Sequence, residues 1–433
     1  MMQEVAAAPL PEPDHRARRS IVLVGTGAQP YREYALASLA ERYELCAVLA
    51  SPPTWQRPYL TQWRVADVAD PAAVARAVAA MTAAGPEFGV LTWDETVLEV
   101  TAQAAEILDR PHMSAQAAAN CRDKYRTRSL LDAAGLPAVR HLLTSEATAA
   151  EQAAACLGYP VVLKPRALAG SMGVTLARDV QGVRRAFALA VGAAYATLPS
   201  GHGVLVEEYL DGPEVSVDSA VTPEGVTCVH VARKRLGFAP HFEEVGHLVD
   251  PTAELPEAAA LEQLVQQAHA VLGVQWGVTH AELRYTRGGW RLIELNGRLG
   301  GDLIPLVGQL ATGIDLVVAA AELSLGRTPD LTPRQRRAAE VRFAYLPEDG
   351  VVQHIDLSAA AAVPHVQRTL VLAPVGSVLH LPPHDAIPRT AAVVVAAPDA
   401  ARCATALDQA EGALDIRHEP LRANAVEGFH AAV

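Results

Sequence analysis

The chain has 433 residues, a formal net charge of −12 and a composition that is half hydrophobic, enough for about three domains of roughly 150 residues each. Its acidity offers no basic nucleic-acid surface, and no apolar run approaches the roughly 20 residues that span a bilayer. The five cysteines, Cys46, Cys121, Cys156, Cys228 and Cys403, are scattered, odd in number and without metal spacing, which argues against a disulfide framework and a zinc site; a soluble cytoplasmic protein is expected, with no nucleic-acid or membrane partner.

Residues 1–17 lack an apolar signal core and read as a disordered leader. Ser20 to Gly27 (SIVLVGTG) is a buried-type strand entering a Gly turn, followed by a helix (YREYALASLAERY), a second strand (LCAVLASP) and a later one (EFGVLTWDE). This alternation predicts a parallel α/β unit over 18–114. Gly25-Thr26-Gly27 lacks the third glycine of a dinucleotide fingerprint, with Pro30 in its place, so a plain strand-to-helix turn is preferred.

Asn120 to Pro137 reads as one helix with a Gly-x-Pro stop. From Pro160 to Asp218 the chain is strand-rich. PEAAALEQLVQQAHAVLG is an amphipathic helix that leads into a hairpin, VTHAELRYTRGGWRLIELNGR. IPLVGQLATGIDLVVAAAELSLG reads as one long apolar helix and RTPDLTPRQRR as a linker. The remainder carries short strands between Gly and Pro turns.

Four constellations along this path carry chemistry. In YPVVLKPRALAGSMGV an apolar strand delivers Lys164 into a loop with Gly170, Ser171 and Gly173. Small residues let backbone N–H groups approach an anion, and a lysine beside them adds a point charge. A solvated surface lysine is the alternative, which the three apolar residues before Lys164 disfavour. No Walker A pattern is present. In VLVEEYLDGPEVSVDSAV a strand runs into Glu207 and Glu208, turns, and restarts at Glu214; taken alone, an acidic-rimmed hairpin explains it. The third is the hairpin that follows the amphipathic helix. Glu294, Asn296 and Arg298 share one face of its second strand, with Ile293 and Leu295 on the other. A three-residue loop, Arg287-Gly288-Gly289, would pair Thr286 with Trp290 and set Glu282 opposite Glu294. Carboxylates about 5 Å apart repel unless a proton or a hard cation such as Mg²⁺ intervenes. The fourth, RKRLGFAPHFEEVGHLVDP, joins cations to Glu243, Glu244 and His247; on sequence alone a surface loop is not rejected.

Taken in order, these residues resemble the ATP-grasp superfamily over roughly residues 18 to 328. The resemblance implies an α/β and α+β fold: a parallel α/β (pre-ATP-grasp) domain at 18–114, an ATP-grasp domain at 115–328 with a lid lobe about 138–210, and a small C-terminal α+β domain at 329–433. It implies ATP phosphates on Lys124 and Lys164 and a phosphate lid at 169–174 that includes Gly170, Ser171 and Gly173. It further implies an adenine hinge at Glu207, Glu208 and Leu210, and a ribose carboxylate at Glu214. Glu282, Glu294 and Asn296 match the metal triad, for two Mg²⁺ or Mn²⁺ in their place, and Arg298 matches the arginine that stabilises the transition state.

RDKYRTRSLLDAAGLP, FEEVGHLVDP and IELNGRLGGDLIPLVGQLATGIDL are most similar to the L-amino acid ligases, which join small carboxylates to amines, often in antibiotic biosynthesis. That likeness implies amino acid substrates, an acyl-phosphate intermediate, Glu244 and His247 on the first amino acid, and a homodimer. An ATP-grasp carboxylase and a non-catalytic nucleotide scaffold are the alternatives. Asp302, four residues after Arg298, has three readings: base for the amine, receptor for a cationic substrate group, or N-cap of the helix near Ile304.

Overall fold

The computed structural model describes residues 19–83, 87–194, 198, 202–385 and 387–421; the expected leader lies outside them. The first unit is a parallel sheet of β1 (Ser20–Val24), β2 (Glu44–Leu49), β3 (Gln62–Val65) and β4 (Phe88–Leu91), in the order β3-β2-β1-β4. Helices α1 (Gln29–Ala40), α2 (Pro71–Thr82) and α3 (Leu98–Ile107) cover it. Ile21 and Leu23 join one core while Val22 and Val24 join another, which is why β1 is apolar without alternation. The strand order reverses between β1 and β4, so a crevice opens at their carboxyl ends.

The helix expected over 120–137 is two helices, α4 (Ala115–Arg122) and α5 (Lys124–Ala133). Asp123 breaks it: its backbone is extended (φ −98°, ψ 103°), and its carboxylate accepts the N–H groups of Tyr125 and Arg126 as the N-cap of α5. Arg166 fixes the same carboxylate at 2.8 Å.

The next lobe is an antiparallel sheet, β5-β8-β6-β7, built from β5 (His141–Thr144), β6 (Val161–Pro165), β7 (Thr175–Ala177) and β8 (Val204–Glu208). It carries α6 (Ala147–Leu157) and α7 (Val180–Gly192), so the stretch expected to be strand-rich also holds a helix of 13 residues.

A larger sheet then forms from β9 (Glu214–Thr222), β10 (Gly225–Gly237), β11 (Glu243–Val249), β12 (Gly277–Thr286) and β13 (Gly289–Asn296), with α8 (Ala258–Leu272) against it. The expected long apolar helix is α9 (Ile304–Thr312) and α10 (Leu316–Ser324), bent by 105°. Gly313 (φ 80°) ends the first, and Asp315 caps the second through Val317 and Val318. Both are apolar nearly all round because both are buried. No single helix among the described residues is long and apolar enough to cross a membrane.

Residues 327–337 form neither helix nor strand, as expected of a linker, but the N–H groups of Arg334 and Arg337 tie them to the end of α9. Then come β14 (Ala338–Tyr345), β15 (Gly350–Asp356), α11 (Ser358–Ala361), β16 (Val366–Val371), β17 (Val378–Leu379), β18 (Arg389–Ala397), α12 (Ala400–Gly412) and β19 (Asp415–Pro420). β14 pairs with β11, so one eight-stranded sheet, β13-β12-β9-β10-β11-β14-β18-β16, runs through both regions, with β17-β15-β19 as a small separate sheet.

The β12–β13 hairpin differs from expectation in two offsetting ways. Its loop has two residues, with Thr286 paired to Gly289 rather than to Trp290. A bulge then inserts Ile293, so Glu282 still lies opposite Glu294. The bulge turns Ile293 to the same cleft as Glu294 and Asn296, while Leu292 and Leu295 enter the opposite core.

Candidate active site

A cleft of about 910 Å³ separates the small lobe from the large sheet. On the small lobe, β6 carries Lys164, whose Nζ lies 2.6 Å from Glu207 of β8. Arg128 of α5 holds the same carboxylate from the other side at 3.0 Å. Burial lowers Lys164 to about 8, with Glu207 pulling it up and Arg128 pushing it down. Burial opposes charge on Glu207 as well, but Arg128 and Lys164 hold it at about 2. Glu207 thus lines the cleft as a spacer between two cations.

Lys124, the first residue of α5, reaches across the cleft. Its Nζ donates to the Leu168 carbonyl at 2.5 Å and to Glu294 at 3.1 Å. The break at Asp123 is what places this lysine at a helix start instead of mid-helix. Gly170, Ser171 and Gly173 all have positive φ, between 55° and 69°. A Cβ on Gly173 would fall 2.9 Å from Ala193 and 3.0 Å from Pro165, so a side chain there would displace the loop.

At the far end, Glu208 binds Arg140 through its carboxylate at 2.9 Å, and its N–H donates to the Arg140 carbonyl. The Leu210 carbonyl accepts Arg284 at 2.8 Å. The Glu208 N–H and the Leu210 carbonyl are therefore paired within the chain, while both residues line the cleft. Glu214 accepts Arg284 at 2.8 Å, and Arg284 lies over the rings of Tyr209 and Phe242.

Lys234 of β10 is the centre of the large-sheet wall. Its buried Nζ is 2.9 Å from Glu244, 2.9 Å from Glu282 and 3.2 Å from Glu214. Burial works against its charge, but the three glutamates raise it well above the usual lysine range. His280 sits beside them, 2.7 Å from Asp218 and 3.6 Å from Glu282. Glu282 and Glu294 offer carboxylate oxygens to the cleft and Asn296 can add an amide oxygen, a ligand set suited to a hard cation. The carboxylates are balanced by Lys234 and Lys124, so the residues fit Mg²⁺ on the chemistry of their donors.

Arg298 continues this face and is clamped by Glu95, whose other oxygen accepts Arg122 at 2.7 Å. Burial opposes the charge on Glu95, but Arg298 and Arg122 hold it at about 2. Glu95 follows β4 at the carboxyl edge of the parallel sheet, so the first unit reaches the cleft through its hold on Arg298.

Next to Arg298, His247 Nε2 lies 3.3 Å from Glu244 and 3.4 Å from Asp302. Its Nδ1 is buried without a partner. The expected helix cap is overturned. α9 starts after Leu303 (φ 64°) with no side-chain cap, and Asp302 is instead gripped by Arg389 of β18 at 2.7 and 2.8 Å. Arg389 also donates to the Glu244 carbonyl, Glu243, Tyr345 and Tyr31. Burial disfavours ionised Asp302, yet Arg389 and the His247 hydrogen bond drive it far below the usual carboxylate range, which makes it a poor base. Glu244, His247 and Asp302 offer ligand atoms within 4.8 Å of one another, but Lys234 and Arg389 already neutralise their carboxylates.

Sequence reasoning missed Lys234, Glu95, His280 and Arg389. Lys234 had a signal: period two puts it on the face opposite Arg233 and Arg235. Glu95 had one in its place after β4. Arg389 had none, because its position depends on β18 pairing with β14.

Comparison with known proteins follows this geometry. A family model described as ATP-grasp domain matches residues 157–305, and one described as L-amino acid ligase C-terminal domain 2 matches 342–419. An uncharacterised protein of Sinorhizobium fredii is 31% identical over 281 residues, 64% of this chain and 57% of that protein. A phosphoribosylamine–glycine ligase of Nostoc sp. is 30% identical over 227 residues, 48% of this chain and 52% of that protein. The chain thus spans little more than half the length of these relatives. The crystal structure of L-amino acid ligase from Bacillus licheniformis matches with a TM-score of 0.79 at 21% identity, covering 93% of this chain and 99% of that one; at that identity the likeness is one of fold.

Proposed function

For a chain with the ATP-grasp fold and an L-amino acid ligase C-terminal domain, we propose an ATP-dependent carboxylate–amine ligase that activates an amino acid as its acyl phosphate. One observation carries this reading: Lys164, the Glu282–Glu294–Asn296 face, Arg298 and the Glu244–Asp302 pair succeed one another along adjoining cavities. A nucleotide end and a small-molecule end then meet at Arg298, where a γ-phosphate and a carboxylate would react.

Lys124 and Lys164 orient the phosphates of ATP, and Glu214 takes the ribose hydroxyls. Glu282, Glu294 and Asn296 would hold Mg²⁺, proposed as two ions, which would supply neutralisation of the phosphate charge. The substrate carboxylate displaces ADP from the γ-phosphate and forms an acyl phosphate, and an amine then displaces phosphate and forms the amide. Arg298, kept in place by Glu95, neutralises the charge of the transferring group. The 169–174 loop excludes water that would hydrolyse the intermediate. Five free cysteines and the demand for ATP fit a cytoplasmic setting.

The test is ATP-dependent phosphate release over amino acids, singly and in pairs, with hydroxylamine as a trapping amine and bicarbonate as a control. Release with amino acids, and hydroxamate in the trap, are expected. Release with bicarbonate alone would replace the reading with a carboxylase. Glu294→Gln should abolish turnover; full activity there would remove the metal assignment.

A further inference from the structure

A second cavity of about 490 Å³ opens beyond Arg298 and Asp302. Most of its lining is charged: Glu243, Glu244, Glu282, Asp302, Arg298 and Arg389, with His280 beside them. Ile304 from the start of α9 and Ile387 from the loop before β18 face it, with Gly170 and Gly301. A methyl added to Gly301 would meet no atom within 4 Å.

Ile387 is the unusual residue of this wall. It has φ 60°, a conformation that is an outlier for a β-branched side chain. Such a residue persists where its surroundings over-determine it, and these sites cluster at ligand clamps. Three contacts pin this one. Its N–H donates to Glu243 at 3.3 Å, and its carbonyl accepts the Arg389 N–H at 2.8 Å. Its Cδ1 lies 3.1 Å from where a Cβ on Gly170 would stand, so it abuts the phosphate loop. Glycine would adopt this φ without strain, but would provide neither the apolar wall nor the contact with the loop.

We propose that the carboxylate-donating substrate is a neutral amino acid whose aliphatic side chain packs between Ile304 and Ile387 over Gly301, so that the C-terminal region sets donor specificity. The inference rests on the ligase reading above and adds the substrate class. The donor's carboxylate meets Arg298, and its ammonium group meets the Glu244–Asp302 side. Its side chain is left with the apolar wall, where a charged or amide group would lose hydration that Ile304 and Ile387 cannot replace.

The experiment is a hydroxamate assay in which hydroxylamine captures the acyl phosphate, run across aliphatic, aromatic, acidic, basic and amide amino acids. It uses the full chain and the variants Ile387→Gly and Gly301→Val. Ile387→Gly suits the local φ, and Gly301 has an ordinary backbone, so neither change asks the fold for a new conformation. The parent should favour aliphatic donors. Ile387→Gly should raise kcat/KM for larger donors relative to smaller ones by roughly tenfold or more, and Gly301→Val should reverse that order, since one methylene in such a pocket is worth about 10–200-fold. The KM for ATP should stay constant in Gly301→Val. A parent preferring acidic, basic or amide donors, or the same donor ranking in all three proteins, would overturn the proposal and leave the ligase reading standing. Hydroxamate formation with no amino acid at all would overturn both.

Discussion

Lys164 ties one residue's proton to the affinity for nucleotide. Its ammonium is lowered to about 8 by burial, even with Glu207 beside it. Below that pH the lysine is charged and offers a cation to phosphate; above it, charging the side chain costs binding energy. The KM for ATP should therefore be flat below pH 8 and rise by about tenfold for the next unit. A Lys164→Arg variant, which stays charged, should flatten the rise. A KM independent of pH between 7 and 9.5 in the parent would dissociate Lys164 from the phosphates. Arg389 makes a different prediction, because its value lies in geometry. Lysine cannot reproduce a fork that spans Asp302, Glu244, Glu243 and two tyrosines. Arg389→Lys should raise the KM for the donor amino acid by roughly tenfold or more, about the cost of one charged hydrogen bond, with the KM for ATP unchanged. Equal effects on both substrates would mean that it only supports the fold. At this scale the sequence was most legible where side chains alternate along one strand, as Glu294 and Asn296 do. It was least legible where partners come from distant segments, as Asp302 and Arg389 do, 87 residues apart.

Among elements, the β12–β13 hairpin shows how a correct pairing can come from an incorrect turn. A two-residue loop alone would put Glu282 opposite Ile293, and the bulge restores Glu294 by inserting Ile293 into the cleft face. Deleting Ile293 should thus leave a regular ladder with the glutamates still opposed, since the residues on either side keep their partners. The deletion variant should unfold cooperatively and keep its metal-dependent turnover. The KM for ATP should rise by about tenfold, the order expected for losing one aliphatic side chain from the nucleotide cleft. Loss of metal dependence would show that the strand has slipped and that the bulge specifies the register. Helix breaks were hidden for a similar reason. Apolar periodicity runs unbroken through 304–324 and helical propensity through 120–137, while the breaks rest on Asp315 and Asp123 as caps. A cap is one residue's hydrogen bond and leaves little trace in a pattern of hydrophobicity.

Across the whole molecule, the large sheet joins regions that composition separates. The polar run at 327–337 reads as a boundary, and the backbone there is irregular. Yet β14 beyond it hydrogen-bonds β11 before it, from Gly246↔Arg342 to Val249↔Ala339. Strand pairing over such a separation has no local sequence signature, so a linker was visible and the continuity of the sheet was not. The consequence is testable by ending the chain at Arg337. Removing β14 and β18 would leave β11 as an open edge of the sheet, and an uncovered edge is a template for association. It would also strip cover from α9, whose Val307 and Ala311 share a core with Val341, Ala392 and Val394. The shortened chain should be recovered mainly as aggregate, or as a soluble species with no donor-dependent phosphate release, because Arg389 leaves with the missing strands. Sedimentation and the hydroxamate assay check both outcomes. A monomeric truncated chain with the parent's donor preference would mean that the site is complete without β18, and the donor-binding roles of Arg389 and Ile387 would fall together.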